Sequence, residues 1–128
     1  MEDLSVYDIL AVDDVPLNLK VLSKMLEQFN FTVRTAQNGW RAMDAVLLKK
    51  PDLILLDILM PGIDGFDVLK RLKGDSSTAD IPVVMVSALS NNASIVRALE
   101  LGAKDYITKP VSMEKLVNCV SGILLSKK

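Results

Sequence analysis

The chain contains no histidine and only one cysteine, Cys119, among its 128 residues. A single cysteine cannot form an internal disulfide, and without histidine the common Cys/His zinc sites cannot be assembled. The same absence removes the Ser/His and Cys/His pairs on which many hydrolases rely for nucleophilic catalysis. Several widespread kinds of catalytic and metal site are therefore excluded.

The sequence also lacks an excess of positive charge and a long apolar run. Its 15 Lys and Arg residues against 16 Asp and Glu give a formal net charge of −1, so no basic field is present to gather nucleic acid or anionic lipid. The longest apolar runs fall far short of the roughly 20 residues that cross a bilayer. The N-terminus is acidic rather than basic, unlike a secretory signal. We expect a cytoplasmic protein that neither binds DNA directly nor inserts into membranes.

Short apolar runs alternate with segments of helical periodicity along the whole chain, without a linker or a low-complexity segment. We therefore expect a single domain over residues 1–128, with a core of about 7–125. The predicted strands are 6–12, 31–36, 53–56, 81–87 and 105–108, and the predicted helices are 17–29, 39–49, 65–72, 92–101 and 113–125. The first helix is predicted to begin at Pro16 and to carry an apolar stripe of Leu22, Met25, Leu26 and Phe29.

Three of the predicted strands are apolar on both faces, at 9–12, 53–56 and 83–86. Strands of this kind belong to a parallel sheet that helices cover on both sides. Right-handed helical crossovers then favour an α/β fold of the doubly wound, flavodoxin-like (βα)5 type, a three-layer sandwich with strand order 2-1-3-4-5. In such a sheet the binding crevice lies at the carboxyl ends of strands 1 and 3.

Three carboxylates are predicted to meet in that crevice. Asp13 and Asp14 follow strand 1 directly, and Asp57 follows strand 3. Packed together they would repel one another by several kcal/mol unless a cation shared them. Oxygen ligands without histidine or cysteine select a hard ion, and a small cluster open to water suits Mg²⁺. The competing interpretation of an aspartate such as Asp14, just ahead of Pro16, is a helix N-cap.

Two further polar groups end strands at the same edge of the sheet. Lys109 precedes Pro110 at the end of strand 5, where its ammonium could neutralise negative charge added to a nearby aspartate. Ser87 ends strand 4 and is followed by the small residue Ala88, which leaves space for a phosphoryl oxygen. Taken singly, Lys109 is more simply explained as a surface lysine and Ser87 as a turn former.

The four motifs together strongly resemble the receiver domain of bacterial two-component signalling, over nearly the whole chain. The resemblance rests on the pairs Asp13-Asp14, Ser87-Ala88 and Lys109-Pro110 and on the stretch Asp57-Ile58-Leu59-Met60-Pro61-Gly62-Ile63-Asp64-Gly65. By this resemblance Asp57 is the phosphoacceptor. Asp14, Asp57 and the Leu59 carbonyl bind Mg²⁺, and Asp13 acts mainly through water.

The resemblance also implies how the phosphoryl group is held and read out. Lys109 contacts the acyl phosphate, and Ser87 and Tyr106 form a switch pair whose rearrangement alters the face made by helix 4, strand 5 and helix 5. Pro110 and Gly65 are expected to form turns, Gly65 at the start of helix 3.

The resemblance further implies a sensor histidine kinase or a histidine phosphotransfer protein as donor, since the chain has no histidine of its own. A downstream output domain or target protein would read the switched face, and a homodimer is a further candidate assembly. The chain would be no enzyme in the usual sense, catalysing only its own phosphorylation and slow dephosphorylation. The alternatives are a phosphorylation-independent interaction or dimerisation module, and a small flavodoxin-like cofactor protein or hydrolase.

Two leucines are expected to set the lifetime of the phosphorylated form. Leu59 lies two residues after Asp57, and Leu89 lies two residues after Ser87. Neither side chain can orient an attacking water, and both would obstruct its approach. We therefore predict a long-lived aspartyl phosphate.

Overall fold

The computed structural model describes residues 4–126, in which five parallel strands alternate with five α-helices in one sheet of order β2-β1-β3-β4-β5. The strands are β1 (Asp8–Val12), β2 (Thr32–Ala36), β3 (Leu53–Leu56), β4 (Val83–Ser87) and β5 (Asp105–Thr108). The helices are α1 (Pro16–Glu27), α2 (Gly39–Leu48), α3 (Gly65–Lys73), α4 (Asn92–Glu100) and α5 (Met113–Leu125). The predicted flavodoxin-like fold and strand order are confirmed.

The three central strands, β1, β3 and β4, are buried along their whole length, as expected for strands that are apolar on both faces. One face of the sheet packs on α1 and α5, through residues that include Leu19, Leu26, Leu116 and Val120. The other face packs on α2, α3 and α4, through residues that include Val46, Phe66, Leu69 and Ala98. The edge strands β2 and β5 are partly exposed.

Three predicted strands begin one or two residues later than expected. A 3₁₀ turn at Leu4–Val6 precedes β1, and Phe31 precedes β2. Pro82 has no N–H to donate to a ladder, and β4 begins at the next residue, although the Pro82 carbonyl still accepts a hydrogen bond from Ile54 at 3.0 Å. The predicted burial of Phe29 is wrong: α1 ends at Glu27 and Phe29 is 41% exposed, while Phe31 enters the core at 3%.

Local signals in the sequence fix where the helices begin. Pro16 occupies the first turn of α1, where a missing N–H costs nothing. Asn38 caps α2, and Asp64 caps α3 in a reciprocal capping box with Asp67. Because every strand runs in the same direction, the loops after β1, β3, β4 and β5 meet at one edge of the sheet. None of the helices within residues 4–126 is long and apolar enough to span a membrane.

Candidate phosphoacceptor and metal site

The structure brings the three predicted aspartates together at the carboxyl edge of the sheet. One carboxylate oxygen from each of Asp13, Asp14 and Asp57 lies within 4.8 Å of the other two. Backbone hydrogen bonds position the two buried members: the Asp13 N–H donates to the Ala36 carbonyl at 3.2 Å, and the Asp57 N–H donates to the Val12 carbonyl at 3.0 Å. The acids therefore extend directly from the sheet ladder.

Asp13 is the most firmly held of the three, with a side chain only 1% exposed. Its Oδ1 accepts the Val15 N–H at 2.9 Å, and its Oδ2 accepts the Asn18 amide at 3.2 Å. The N-cap of α1 is Val15, which makes no side-chain cap. The interpretation of Asp14 as the N-cap is therefore wrong, because the turn is closed by Asp13, and Asp14 remains half-buried beside its neighbours.

Lys109 lies between the two buried aspartates. Its Nζ is 2.8 Å from Asp13 Oδ2 and 3.2 Å from Asp57 Oδ2, and the Lys109–Pro110 peptide bond is cis. Burial alone would lower the pKa of Lys109, but hydrogen bonds and charge from Asp13 and Asp57 outweigh burial and raise that pKa. The lysine is therefore a fixed cation inside the site, and its interpretation as a free surface lysine is wrong.

Asp57 is a buried carboxylate whose pKa is raised. Burial raises its pKa, and the charge of Asp13 raises it further, while Lys109 and the Ile58 N–H, which donates to Oδ1 at 2.8 Å, lower it in part. The net shift is upward. One lysine does not compensate the negative charge of this site.

The donor set fits Mg²⁺. Two ionised carboxylates no more than 4.8 Å apart repel by at least about 3.5 kcal/mol at an effective dielectric of 20, and a divalent cation would reverse that cost. All the side-chain donors are carboxylate oxygens, which hard ions prefer. Leu59 lies two residues beyond Asp57 in the chain and is 53% exposed.

Ser87 and Tyr106 lie on neighbouring strands next to this site. Ser87 is fully buried, and its Oγ accepts the Leu89 N–H at 3.2 Å. The Tyr106 ring packs against the core, and its hydroxyl donates to the Leu89 carbonyl at 2.6 Å. Burial raises the pKa of Tyr106. Ala88, which follows Ser87 at the end of β4, is exposed.

Gly65 allows α3 to start directly against the acceptor. A Cβ at this position would overlap the Asp57 carbonyl and the Ile58 Cα, so no larger residue fits. The Gly65 N–H donates to the Ile58 carbonyl at 2.9 Å. The predicted turn at Gly65 is thus also a packing contact with the backbone of Asp57.

Comparison with known proteins assigns the chain to a family. The family model of the response regulator receiver domain matches residues 9–121. The chain belongs to this family. Receiver domains are signalling phosphoacceptors rather than classical enzymes, and they partner with histidine kinases.

Individual relatives agree with the family assignment. Over 103 residues the receiver domain is 43% identical to the response regulator PleD of Caulobacter vibrioides, covering 80% of this chain but 23% of PleD. Over 116 residues it is 38% identical to protein PilH of Pseudomonas aeruginosa, covering 91% of this chain and 96% of PilH. The receiver domain of a signal transduction histidine kinase from Syntrophus aciditrophicus superimposes with a TM-score of 0.88 at 37% identity, covering 95% and 92% of the two chains.

One residue of the receiver site was missed from the sequence. Asn18 donates to Asp13 Oδ2 and lies in the first turn of α1, where a polar residue is expected to face solvent. Only its spacing of five residues from Asp13 could have indicated the contact. Asn18 also lines one wall of a groove of about 520 Å³ that opens beside Lys109 and is otherwise lined by Val21, Leu22, Val86, Pro110 and Val111.

Proposed function

We propose that this receiver domain accepts a phosphoryl group on Asp57 in a Mg²⁺-dependent reaction, from a sensor histidine kinase or a histidine phosphotransfer protein. The observation that carries the proposal is the convergence of Asp13, Asp14 and Asp57 within 4.8 Å beside the fixed ammonium of Lys109. Such an arrangement binds a divalent cation and adds positive charge where a phosphoryl group would arrive.

The proposed metal ligands are Asp14, Asp57 and the Leu59 carbonyl, with Asp13 acting through water. Bound Mg²⁺ would neutralise charge on the phosphoryl oxygens. The Asp57 carboxylate attacks phosphorus, so that an O–P bond forms while the N–P bond to the donor imidazole breaks. Lys109 supplies the second positive charge from within hydrogen-bonding distance of Asp57. Positioning and charge neutralisation are the main requirements of this loose transition state.

Asp57 lies close to a surface that a protein donor can approach. The groove beside Lys109 is mostly apolar, and Val15, Leu17 and Val21 at the start of α1 are 42–66% exposed. A helix bearing a phosphohistidine could bury these side chains while its imidazole reaches Asp57. We also propose a cytoplasmic location, as expected from the sequence.

The readout is proposed to pass from Ser87 through Tyr106 to the face of α4, β5 and α5. A phosphoryl oxygen would accept a hydrogen bond from the Ser87 hydroxyl, and turning that hydroxyl toward it would weaken the bond that Ser87 Oγ accepts from the Leu89 N–H. The Leu89 carbonyl in turn accepts from the Tyr106 hydroxyl. Phosphorylation would thus favour one arrangement of the Ser87–Leu89 segment over another. Val96 and Leu99 on α4, 50% and 47% exposed, give this face apolar surface for an output domain, a target or a second copy of the chain.

The experiment that tests the proposal is intact mass spectrometry of the chain after incubation with acetyl phosphate, with Mg²⁺ or with EDTA. We expect a gain of one phosphoryl group with Mg²⁺ and none with EDTA. No gain under either condition would instead favour the phosphorylation-independent interaction module.

The double substitution Leu59→Asn and Leu89→Glu is expected to shorten the life of the phosphorylated form. Leu59 is exposed close to the acceptor and Leu89 is only partly buried, so polar side chains at both positions could reach solvent and orient a water. Positioning effects of this kind change rates by about ten- to a hundredfold. Loss of the phosphoryl mass after removal of acetyl phosphate measures the rate. The matched variant Leu59→Met with Leu89→Met should decay like wild type, and equal rates in all three proteins would contradict the prediction.

A further inference from the structure

Gly39, the first residue of α2, makes an unusually close contact with the loop that follows the acceptor. A Cβ at Gly39 would lie 2.7 Å from Ile63 Cδ1 and 2.8 Å from Val68 Cγ2, and closer still to Ile63 Cγ1. Gly39 is buried, and its φ is not positive. Glycine is therefore required at this position for space and not for backbone conformation. Alanine would otherwise be the better helix former.

The two residues that Gly39 contacts differ in their freedom to move. Val68 is 1% exposed within α3 and belongs to the core of the sheet face covered by α2, α3 and α4. Ile63 is only partly buried and lies in the β3–α3 loop (residues 57–64). Both side chains are β-branched and cannot readily change rotamer. An added Cβ at Gly39 would therefore displace Ile63 and the loop that carries it.

The β3–α3 loop is anchored at both ends and, in between, by Met60, which is 8% exposed in the core and whose N–H donates to the Ile58 carbonyl at 3.1 Å. At its start Asp57 is bonded to Val12, and at its end Gly65 packs on the Asp57 backbone and donates to Ile58. Leu59 and Ile63 lie on either side of Met60, and Ile63 packs against the same core cluster as Met60. The contact of Ile63 with Gly39 supports this part of the loop. Gly62, the residue before Ile63, has a φ of +81°.

We propose that Gly39 is a positioning residue for the metal site of this receiver domain. By leaving room for Ile63 against α2, it sets the path of the β3–α3 loop and so the place of the Leu59 carbonyl beside Asp57. This inference rests on the proposed function, because it assigns Gly39 a role in Mg²⁺ binding at that site.

The test is Mg²⁺ binding to the full chain by isothermal titration calorimetry, with unfolding in urea measured on the same proteins. Gly39→Ala is expected to weaken Mg²⁺ binding about tenfold, the lower end of the range for loss of a residue that supports metal ligands. Gly122→Ala is the matched control, because a Cβ at Gly122 on α5 meets nothing within 4 Å. It should bind Mg²⁺ like wild type.

A second substitution tests the contact from its other side. Ile63→Ala removes two of the three atoms that a Cβ at residue 39 would overlap and leaves Val68 Cγ2 in place, so the double variant should bind Mg²⁺ more tightly than Gly39→Ala alone. Ile63→Ala by itself should bind Mg²⁺ more weakly than wild type, because the loop loses its support. If Gly39→Ala fails to fold, the Mg²⁺ affinity of the Ile63→Ala variant tests the inference instead.

Wild-type Mg²⁺ affinity in a folded Gly39→Ala variant, or in Ile63→Ala, would overturn the inference. It would also be overturned if the loss of Mg²⁺ affinity in the double variant equalled the product of the losses in the two single variants. Absence of Mg²⁺ binding by the wild-type chain would instead count against the proposed function itself. A loss of stability in Gly39→Ala without a change in Mg²⁺ affinity would show that the contact serves only folding.

Discussion

An Asp57→Asn variant is expected to gain no phosphoryl group from acetyl phosphate, under conditions in which the wild-type chain gains one. The amide cannot act as the nucleophile, and it also removes one of the three carboxylates that would hold Mg²⁺. Asp44→Asn is the matched control, since Asp44 is an exposed aspartate on α2, and it should be phosphorylated like wild type. Intact mass spectrometry decides, and a full mass gain in Asp57→Asn would show that another residue accepts the group.

The same variant should not be less stable than wild type in the absence of metal. Burial raises the pKa of Asp57, so the folded protein binds a proton at this site more readily than the unfolded chain does. Above the raised pKa the ionised carboxylate therefore costs stability, and the cost disappears as the pH falls toward the unfolded value. Urea unfolding in EDTA should show Asp57→Asn to be the more stable protein at neutral pH, with a difference that shrinks on acidification. Lower stability of the variant at neutral pH would contradict this sign.

Most of the fold could be predicted because its signals are local. The central strands are apolar on both faces over 9–12, 53–56 and 83–86, which leaves few alternatives to a parallel sheet between two helical layers. The ends of the helices and strands are harder to predict from the sequence. Phe29 continued the apolar period of α1, but the helix ends two residues earlier and the chain turns through Asn30, whose φ is +69°. A turn of this kind cannot be detected from hydrophobic periodicity.

The members of the site could be predicted because strand ends place them, but their pairing could not. Strand ends predict that Asp13, Asp57 and Lys109 lie at the carboxyl edge, whereas the shorter contact of Lys109 with Asp13 than with Asp57 depends on residues about 50 to 100 positions apart in sequence. The contact of Asn18 with Asp13 and the space that Gly39 leaves for Ile63 are likewise properties of tertiary packing. Residue type and spacing alone do not encode them.

At the opposite edge of the sheet, a buried aspartate is paired with an arginine. Asp8 begins β1 with its side chain 5% exposed, and Arg34 of β2 pairs with it at 2.6 Å. Arg34 also donates to the Ala45 and Lys49 carbonyls at 3.0 and 2.7 Å, at the end of α2. The Asp8 N–H donates to Asp52 at 2.8 Å. Here one buried carboxylate has an arginine to itself, whereas at the carboxyl edge Asp13 and Asp57 share the single cation of Lys109.

Arg34→Met is therefore expected to lower the free energy of unfolding by about 3 kcal/mol, because it leaves the buried Asp8 carboxylate unpaired and removes the arginine donor from the Lys49 carbonyl at the end of α2. Urea unfolding measures the change, and Arg41→Met, at an exposed arginine of α2, should stay within about 0.5 kcal/mol of wild type. Adding Asp8→Leu to Arg34→Met removes the unpaired charge and should recover part of the loss. Since Asp8 and Asp13 lie at opposite ends of β1, phosphorylation of the folded Arg34→Met protein should match wild type. A change below 1 kcal/mol would mean that water reaches Asp8 and replaces the arginine.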